Sequence, residues 1–136
     1  MPTTGSEASP YILVVEDELD LCEMLKNHFE GEGCRVETVE NGAVGLRRVM
    51  EVDFDAVICD MVMPHMAGDM FYLAVKKVRP HLCDRFVFIT GHGESPEVRD
   101  FLKGISERVI AKPFNLEDLT VAVRRAAMDD RPKPGN

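Results

Sequence analysis

Short apolar runs alternate along this chain with longer stretches in which apolar residues recur at helical spacing. Four of the runs are almost continuously apolar, namely 11–15, 56–59, 85–89 and 109–111. Such runs are typical of strands that are buried on both faces of a parallel sheet. A fifth run, 34–39, alternates apolar and polar residues, which favours a less buried strand at a sheet edge.

The stretches between the runs predict five helices, each with one apolar stripe. They are expected at about 18–30, 42–52, 69–78, 96–104 and from 116 onward. Ser95 and Asn115 are expected N-caps, and Pro96 suits a first helical position. Five β–α units joined by right-handed crossovers predict an α/β fold, a five-stranded parallel sheet with five helices on both faces.

A length of 136 residues predicts a single domain. The polar, small residues of 1–9 are expected to be a disordered N-terminal segment. The last eight residues, 129–136, contain two prolines and a glycine and are expected to form a tail or a linker. The folded domain is therefore expected to occupy 10–128.

The charge balance argues against direct binding of nucleic acid. Lys and Arg number 16 against 24 Asp and Glu, a formal charge of −8, whereas nucleic-acid affinity comes mainly from clustered cations. No apolar run approaches the roughly 20 residues that a membrane helix needs, and the N-terminus lacks the pattern of a secretory signal. We expect a cytoplasmic protein without a membrane partner.

The cysteines and histidines lack metal-ligand spacing, and no disulfide framework is expected. The cysteines stand among apolar residues as small core side chains would, at Cys22, Cys34, Cys59 and Cys83. We expect His28 and His81 to be ordinary surface residues.

Residues suited to phosphate or metal chemistry follow four of the predicted strands. In chain order they are Glu16 with Asp17, then Asp60, Thr90 and Lys112. The carboxyl ends of parallel strands lie at one edge of the sheet, where ligands bind in such folds. Three carboxylates, one hydroxyl and one lysine are therefore expected in one small volume.

Clustered carboxylates repel one another and favour a bound cation, for which Mg²⁺ (or Mn²⁺) with its preference for oxygen ligands is the natural choice. Asp60, at the end of a buried strand, is placed to act as a nucleophile toward a phosphoryl group. Lys112 would neutralise charge, and Thr90 would donate a hydrogen bond to a phosphoryl oxygen. Taken singly, each residue has an ordinary interpretation as a helix start, a turn or a strand end. The agreement of four strand ends favours the site.

The motifs around these residues resemble those of the response-regulator receiver domain of two-component signalling, the CheY-like family. They read ILVVEDE (12–18), ICDMVMP (58–64), ITG (89–91) and KPF (112–114). The resemblance extends over about 11–128 in order and spacing, and DRFVFITG (84–91) also resembles receivers attached to hybrid histidine kinases. It implies the strand order 2-1-3-4-5, in which the second strand is an edge.

The resemblance also implies the metal ligands. Asp17 and Asp60 match the residues that bind Mg²⁺ directly, and Glu16 matches the one that binds it through water. The backbone carbonyl of Val62 matches a further ligand.

By the same resemblance, Asp60 accepts a phosphoryl group from a sensor histidine kinase or a phosphotransfer protein. Thr90 and Lys112 match the residues that contact this group. Phosphorylation would then remodel the face of the fourth helix, fifth strand and fifth helix for an unknown output protein or domain. The resemblance implies a switch and not an enzyme, since its chemistry is confined to self-phosphorylation and self-dephosphorylation.

Three positions depart from the common pattern of the family, and two other functions stay open. Glu16 stands where Asp is frequent, Val109 where many members carry an aromatic switch residue, and Val62 predicts slow self-hydrolysis because it cannot hold an attacking water. A pseudo-receiver that binds a partner without being phosphorylated is one alternative. An aspartyl-nucleophile phosphatase is disfavoured because Val62 replaces the second Asp that such enzymes usually carry.

Overall fold

The computed structural model describes residues 9–63, 66–91, 96–104 and 108–127. The strands are β1 (Tyr11–Val15), β2 (Arg35–Val39), β3 (Ala56–Asp60), β4 (Phe86–Thr90) and β5 (Val109–Ala111). The helices are α1 (Leu19–Gly31), α2 (Gly42–Glu51), α3 (Gly68–Val78), α4 (Pro96–Lys103) and α5 (Leu116–Ala127). All ten elements were predicted, with ends that differ by about one residue.

The strands form one parallel sheet in the order β2-β1-β3-β4-β5, which confirms the predicted fold class. The central strand β3 is buried along its whole length, from Ala56 to Asp60. In the edge strand β2 only Val39 is buried, as the alternation of polar residues predicted. The alternation therefore marked β2 as an edge strand before any pairing was known. The continuous apolar run at 109–111 was expected to be buried on both faces, and that expectation was wrong. β5 is the other edge strand, and its residues are half-buried or exposed because, among the described residues, it pairs with β4 alone.

The sheet separates two core layers because successive residues of a strand face opposite sides. Leu13 of β1 packs in one layer with Phe71 and other residues of α2 and α3. Its neighbour Ile12 packs in the other layer with Leu25 of α1 and Leu119 of α5. Helices therefore cover both faces, and the burial of both faces holds the strand ends in place.

Side-chain caps fix two of the helix starts. The Asn41 Oδ1 atom accepts a hydrogen bond from the Val44 N–H at 2.9 Å, and Asn115 Oδ1 accepts one from the Asp118 N–H at 2.7 Å. The predicted cap at Ser95 lies outside the described residues. So do the expected tail at 129–136 and all of the N-terminal segment except Ser9, and these expectations stay predictions.

The structure contains a 3-10 helix, Pro80–Arg85, that was not predicted. Pro80 marked the end of α3 in the sequence, but a proline also suits the first position of a new helical turn. The turn buries Leu82 and Cys83 against the sheet. Within the described ranges, no helix is both long and apolar enough to cross a membrane.

His28 and His81 lie at the surface, as expected, but each makes a specific side-chain contact. Both are half-buried. The Thr120 hydroxyl donates its one hydrogen to the Leu116 carbonyl at 2.7 Å. The same hydroxyl therefore accepts a hydrogen bond from His28 Nε2, which lies 2.7 Å away. This bond links α1 to α5. His81 Nε2 lies 2.9 Å from Asp53 Oδ1. The four cysteines are free, as expected.

Candidate functional site

The parallel register aligns the carboxyl ends of the strands that carry the predicted site residues. Asp60, the last residue of β3, is opposite Ile89 of β4, and Thr90 is opposite Ala111 of β5. The N–H of the next residue, Lys112, donates to the Thr90 carbonyl at 2.7 Å. The sheet itself therefore places Asp60, Thr90 and Lys112 along one edge.

Three carboxylates meet at this edge. One oxygen atom from each of Glu16, Asp17 and Asp60 can be chosen so that all three lie within 4.8 Å of one another. Glu16 and Asp60 are buried, with 2% and 4% of their surface exposed, whereas Asp17 is exposed. The cluster thus has two oxygens fixed inside the protein and one that faces solvent.

Both oxygens of the Asp60 carboxylate are held by the protein. Oδ1 accepts a hydrogen bond from the Val62 N–H at 3.0 Å, and Oδ2 accepts one from Lys112 Nζ at 3.3 Å. Two hydrogen bonds also fix the backbone of the next residue, Met61. Its N–H donates to the Ile89 carbonyl, and its carbonyl accepts from the Gly68 N–H, each at 3.0 Å. The carboxylate is therefore preorganised at the end of a rigid strand.

Glu16 is positioned by its own backbone and by the start of α1. Its N–H donates to the Val39 carbonyl at 3.0 Å, which extends the β1–β2 pairing by one residue. Oε2 accepts a hydrogen bond from the Glu18 N–H at 3.0 Å, whereas Oε1 is buried and has no hydrogen-bond partner among the described residues. Burial, followed by the neighbouring Asp60 carboxyl, raises the pKa of Glu16 to about 8.

These donors fit a hard divalent cation. A buried carboxylate oxygen without a partner is costly unless a positive group satisfies it. Here that oxygen lies beside two further carboxylates, the donor set that Mg²⁺ prefers. The residues that could hold the ion are thus Glu16, Asp17 and Asp60, together with the Val62 carbonyl that the family resemblance implies.

Lys112 supplies the positive charge of the site. Burial alone would lower the pKa of Lys112, but the carboxylates of Asp60 and Glu16 outweigh it and raise that pKa above its ordinary value. The ammonium group is therefore charged at neutral pH. It lies beside the Asp60 carboxylate, the nucleophile that the sequence predicts.

An open groove of about 760 Å³ adjoins the site, and sequence reasoning did not foresee it. It lies between the outer surface of α1 and the segment that leads from β5 into α5, and Lys112 belongs to its lining. The other lining residues are Glu18, Asp20, Leu21, Met24, Pro113, Phe114 and Leu116. The groove gives a mainly apolar surface next to the charged edge.

Comparisons with known proteins agree with this geometry. A family model described as the response regulator receiver domain matches residues 12–124. The aerobic respiration control protein ArcA of Escherichia coli is 33% identical over 116 residues, which are 85% of this chain and 48% of that protein. The response regulator receiver protein CpdR of Brucella abortus is 31% identical over 114 residues, 84% of this chain and 93% of that protein.

A crystal structure of a response regulator receiver domain protein from Clostridium thermocellum is similar with a TM-score of 0.76 and 30% identity. The match covers 88% of this chain and 94% of that one. The chain thus spans about half the length of ArcA and nearly all of CpdR.

Proposed function

The chain belongs to the response regulator receiver domain family, and we propose that Asp60 is its phosphoacceptor in a two-component phosphorelay. Receiver domains are signalling switches that bind Mg²⁺ at an acidic site and interact with histidine kinases and output domains. The observation that carries the proposal is the Asp60 carboxylate, held by Lys112 at 3.3 Å within the acidic cluster. We propose 10–128 as the receiver domain and the cytoplasm as its location.

In the proposed reaction an Asp60 carboxylate oxygen attacks the phosphorus atom of a phosphohistidine on the donor protein. The oxygen–phosphorus bond forms as the phosphorus–nitrogen bond breaks, and the donor imidazole leaves with the electron pair and takes a proton from solvent. The phosphoryl group is highly charged in the transition state, so positioning and charge neutralisation supply most of the catalysis.

The chain's own residues divide this work. Glu16, Asp17, Asp60 and the Val62 carbonyl would hold Mg²⁺, which when bound neutralises negative charge on the phosphoryl oxygens. Lys112 supplies a second positive charge to the same group. Thr90, at the end of β4, would donate its hydroxyl to a phosphoryl oxygen.

The Thr90 contact would carry the signal outward. A hydroxyl drawn toward Asp60 displaces the end of β4, which pairs with β5. The population would then shift between two packings of the α4-β5-α5 face, where the output protein or domain binds. Val62, whose side chain is 60% exposed, has no group that could hold an attacking water, so slow hydrolysis of the phosphorylated form is expected.

We propose that the groove beside Lys112 receives the phosphodonor protein. Lys112 lines the groove and also contacts Asp60, so a helix seated in the groove would bring its phosphohistidine to the acidic edge. The apolar residues Leu21, Met24 and Phe114 offer the contact surface that an amphipathic helix needs.

The proposed phosphoacceptor is tested by intact mass after incubation with acetyl phosphate, with and without Mg²⁺, on the natural protein and on Asp60→Asn. We expect one added phosphoryl group that requires both the metal and Asp60. An adduct that survives in Asp60→Asn would place the acceptor elsewhere. The absence of any adduct, together with no Mg²⁺ binding by titration, would favour a pseudo-receiver.

A further inference from the structure

The backbone at Asp60 is in close contact with the start of α3. The Gly68 N–H, one of the first-turn donors that a helix leaves unpaired, donates to the Met61 carbonyl at 3.0 Å. On the other side, the Met61 N–H is bonded to the Ile89 carbonyl of β4. Met61 is thus fixed between β4 and α3, and Asp60 and Val62 lie on either side of it.

This contact leaves no room for a side chain at Gly68. A Cβ atom there would lie 2.9 Å from the Asp60 carbonyl oxygen, 2.9 Å from Met61 Sδ and 3.0 Å from Met61 Cα. Two of the three atoms belong to the backbone, which cannot turn aside as the end of a side chain can. Carbon atoms in contact normally lie 3.5–4.0 Å apart, so a Cβ would displace this backbone by roughly half an ångström.

This displacement of the backbone would also move the Asp60 carboxylate. β3 is buried along its whole length and paired on both sides in the sheet, so we expect the movement to fall on residues 60–62 at its end. The Val62 N–H bonds Asp60 Oδ1, and the two therefore move together. Functional groups need to be held within about 0.5 Å of their productive positions, which is close to the expected shift.

We propose that Gly68 is a positioning residue for Asp60, because its missing Cβ allows α3 to begin against the backbone that carries the carboxylate. The inference deepens the proposed phosphoacceptor function and rests on it. Gly68 is not among the residues proposed to hold the metal or the phosphoryl group; it would act through the positions of residues 60–62.

The test compares Gly68→Ala with Gly45→Ala. A Cβ at Gly45, on α2, would meet only side chains, namely the Phe71 ring at 3.1 Å and a Val15 methyl at 3.4 Å. Both variants add one methyl group at the same side of the sheet, but only the first presses on the Asp60 backbone. Urea unfolding gives the stability of each, and 2 M trimethylamine oxide can be added to every sample if Gly68→Ala is too unstable to fold alone.

Three quantities are measured on each folded protein. They are the amide NMR signal of Val62 without metal, the Kd for Mg²⁺, and the rate of phosphorylation by acetyl phosphate at saturating Mg²⁺. In Gly68→Ala we expect a displaced Val62 signal, weaker Mg²⁺ binding, and a rate at least about tenfold lower, since a 1 Å misplacement can cost about a hundredfold. Gly45→Ala should match the natural protein in all three.

The inference is overturned if Gly68→Ala keeps the Val62 signal and stays within twofold of the natural protein in affinity and rate. It is also overturned if Gly45→Ala loses as much, because the effect would then be general loosening of the fold. A natural protein that neither binds Mg²⁺ nor accepts phosphate would instead refute the proposed function. The Val62 signal in metal-free protein would still decide the role of Gly68.

Discussion

Asp60 and Lys112 are separated by 52 positions in sequence, yet their side chains form the central ion pair of the site. The role of each side chain is defined by the groups that contact it. The Asp60 carboxylate is fixed by the Val62 N–H and by Lys112. Against the effect of burial, Asp60 and then Glu16 raise the pKa of Lys112. The effects of single substitutions can therefore be separated at this scale.

Replacing Lys112 with Ala should slow phosphorylation while leaving Mg²⁺ binding intact or stronger. A positive charge beside the acidic cluster competes with a cation, so its removal favours the metal. Its loss also removes charge stabilisation of the phosphoryl group, for which we expect a rate at least about tenfold lower. The rate is followed by intact mass with acetyl phosphate, and the Kd by isothermal titration; weaker Mg²⁺ binding would show that Lys112 organises the metal site instead.

Removal of Mg²⁺ should lower the stability of the natural protein but not that of Asp17→Asn. A ligand that binds only the folded state at a hundred times its Kd adds about 2.7 kcal/mol to the free energy of unfolding. Because Asp17 is an exposed member of a cluster of mutually repelling carboxylates, Asp17→Asn should leave the metal-free stability unchanged or higher. Urea unfolding with Mg²⁺ and with EDTA measures both, and equal stabilisation of the two proteins would contradict the ligand role of Asp17.

At the scale of the elements, a half-buried polar cluster connects the edge strand β2 to α2. Arg48 of α2 donates from Nε and Nη2 to the two carboxylate oxygens of Glu37, and the Tyr11 hydroxyl donates to Glu37 Oε1 at 3.1 Å. Paired Arg–carboxylate bonds of this kind are stronger than single ones. They support the strand that pairs with β1, the strand that leads into Glu16.

The Arg48 hydrogen bonds lower the pKa of Glu37 below its ordinary value, against an opposing effect of burial and with help from Tyr11. A carboxyl whose pKa is lower in the folded state stabilises the fold above its unfolded pKa of about 4.3, and this contribution is lost as the pH falls through the folded value. Glu37→Gln should therefore lower the urea midpoint at pH 7.

The difference between the two proteins should shrink as the pH falls below about 4.3, where the unfolded chain begins to bind the proton, and should disappear below the lower pKa of the folded state, where the natural side chain is also neutral. Urea midpoints of both proteins across pH 3–7 give the comparison. A difference that stays constant over this range would mean that shape, and not charge, is what Glu37 contributes.

At the scale of the whole molecule, the groove adjoins the acidic edge, but we expect the two to have separate functions, donor binding and phosphoryl transfer. We expect small donors such as acetyl phosphate to need only the acidic edge, whereas a protein donor should also need the groove. Met24 lines the groove with 41% of its surface exposed. Met50, on α2 across the sheet, is 58% exposed and offers a matched control.

Met24→Glu should reduce phosphotransfer from a histidine kinase that phosphorylates the natural protein, by about tenfold in kcat/KM. A charge placed in an apolar contact must be desolvated when the partner binds. The same variant should react normally with acetyl phosphate, and Met50→Glu should be normal with both donors. If Met24→Glu transfers as well as Met50→Glu, the donor binds elsewhere.

Much of this protein was determined by sequence alone. The continuous apolar run of β3 predicted a strand buried on both faces that ends at Asp60, because such a strand excludes polar side chains. The order of the strands came from the resemblance, since the equally apolar run of β5 lies at an edge. Asn115 at the start of α5 was recognisable because a cap acts within one helical turn. The parallel arrangement then required that Glu16, Asp60, Thr90 and Lys112 share one edge.

Only the tertiary structure decided the features that depend on distant contacts. The half-buried His28 owes its place to Thr120, 92 positions later, and Pro80 begins a new turn because Leu82 finds a place in the core. Nothing local marks Gly68 as the residue against which the Asp60 backbone rests. Patterns along the chain report which surfaces must be buried, but the partner that each surface meets is set by the packing of elements far apart in sequence.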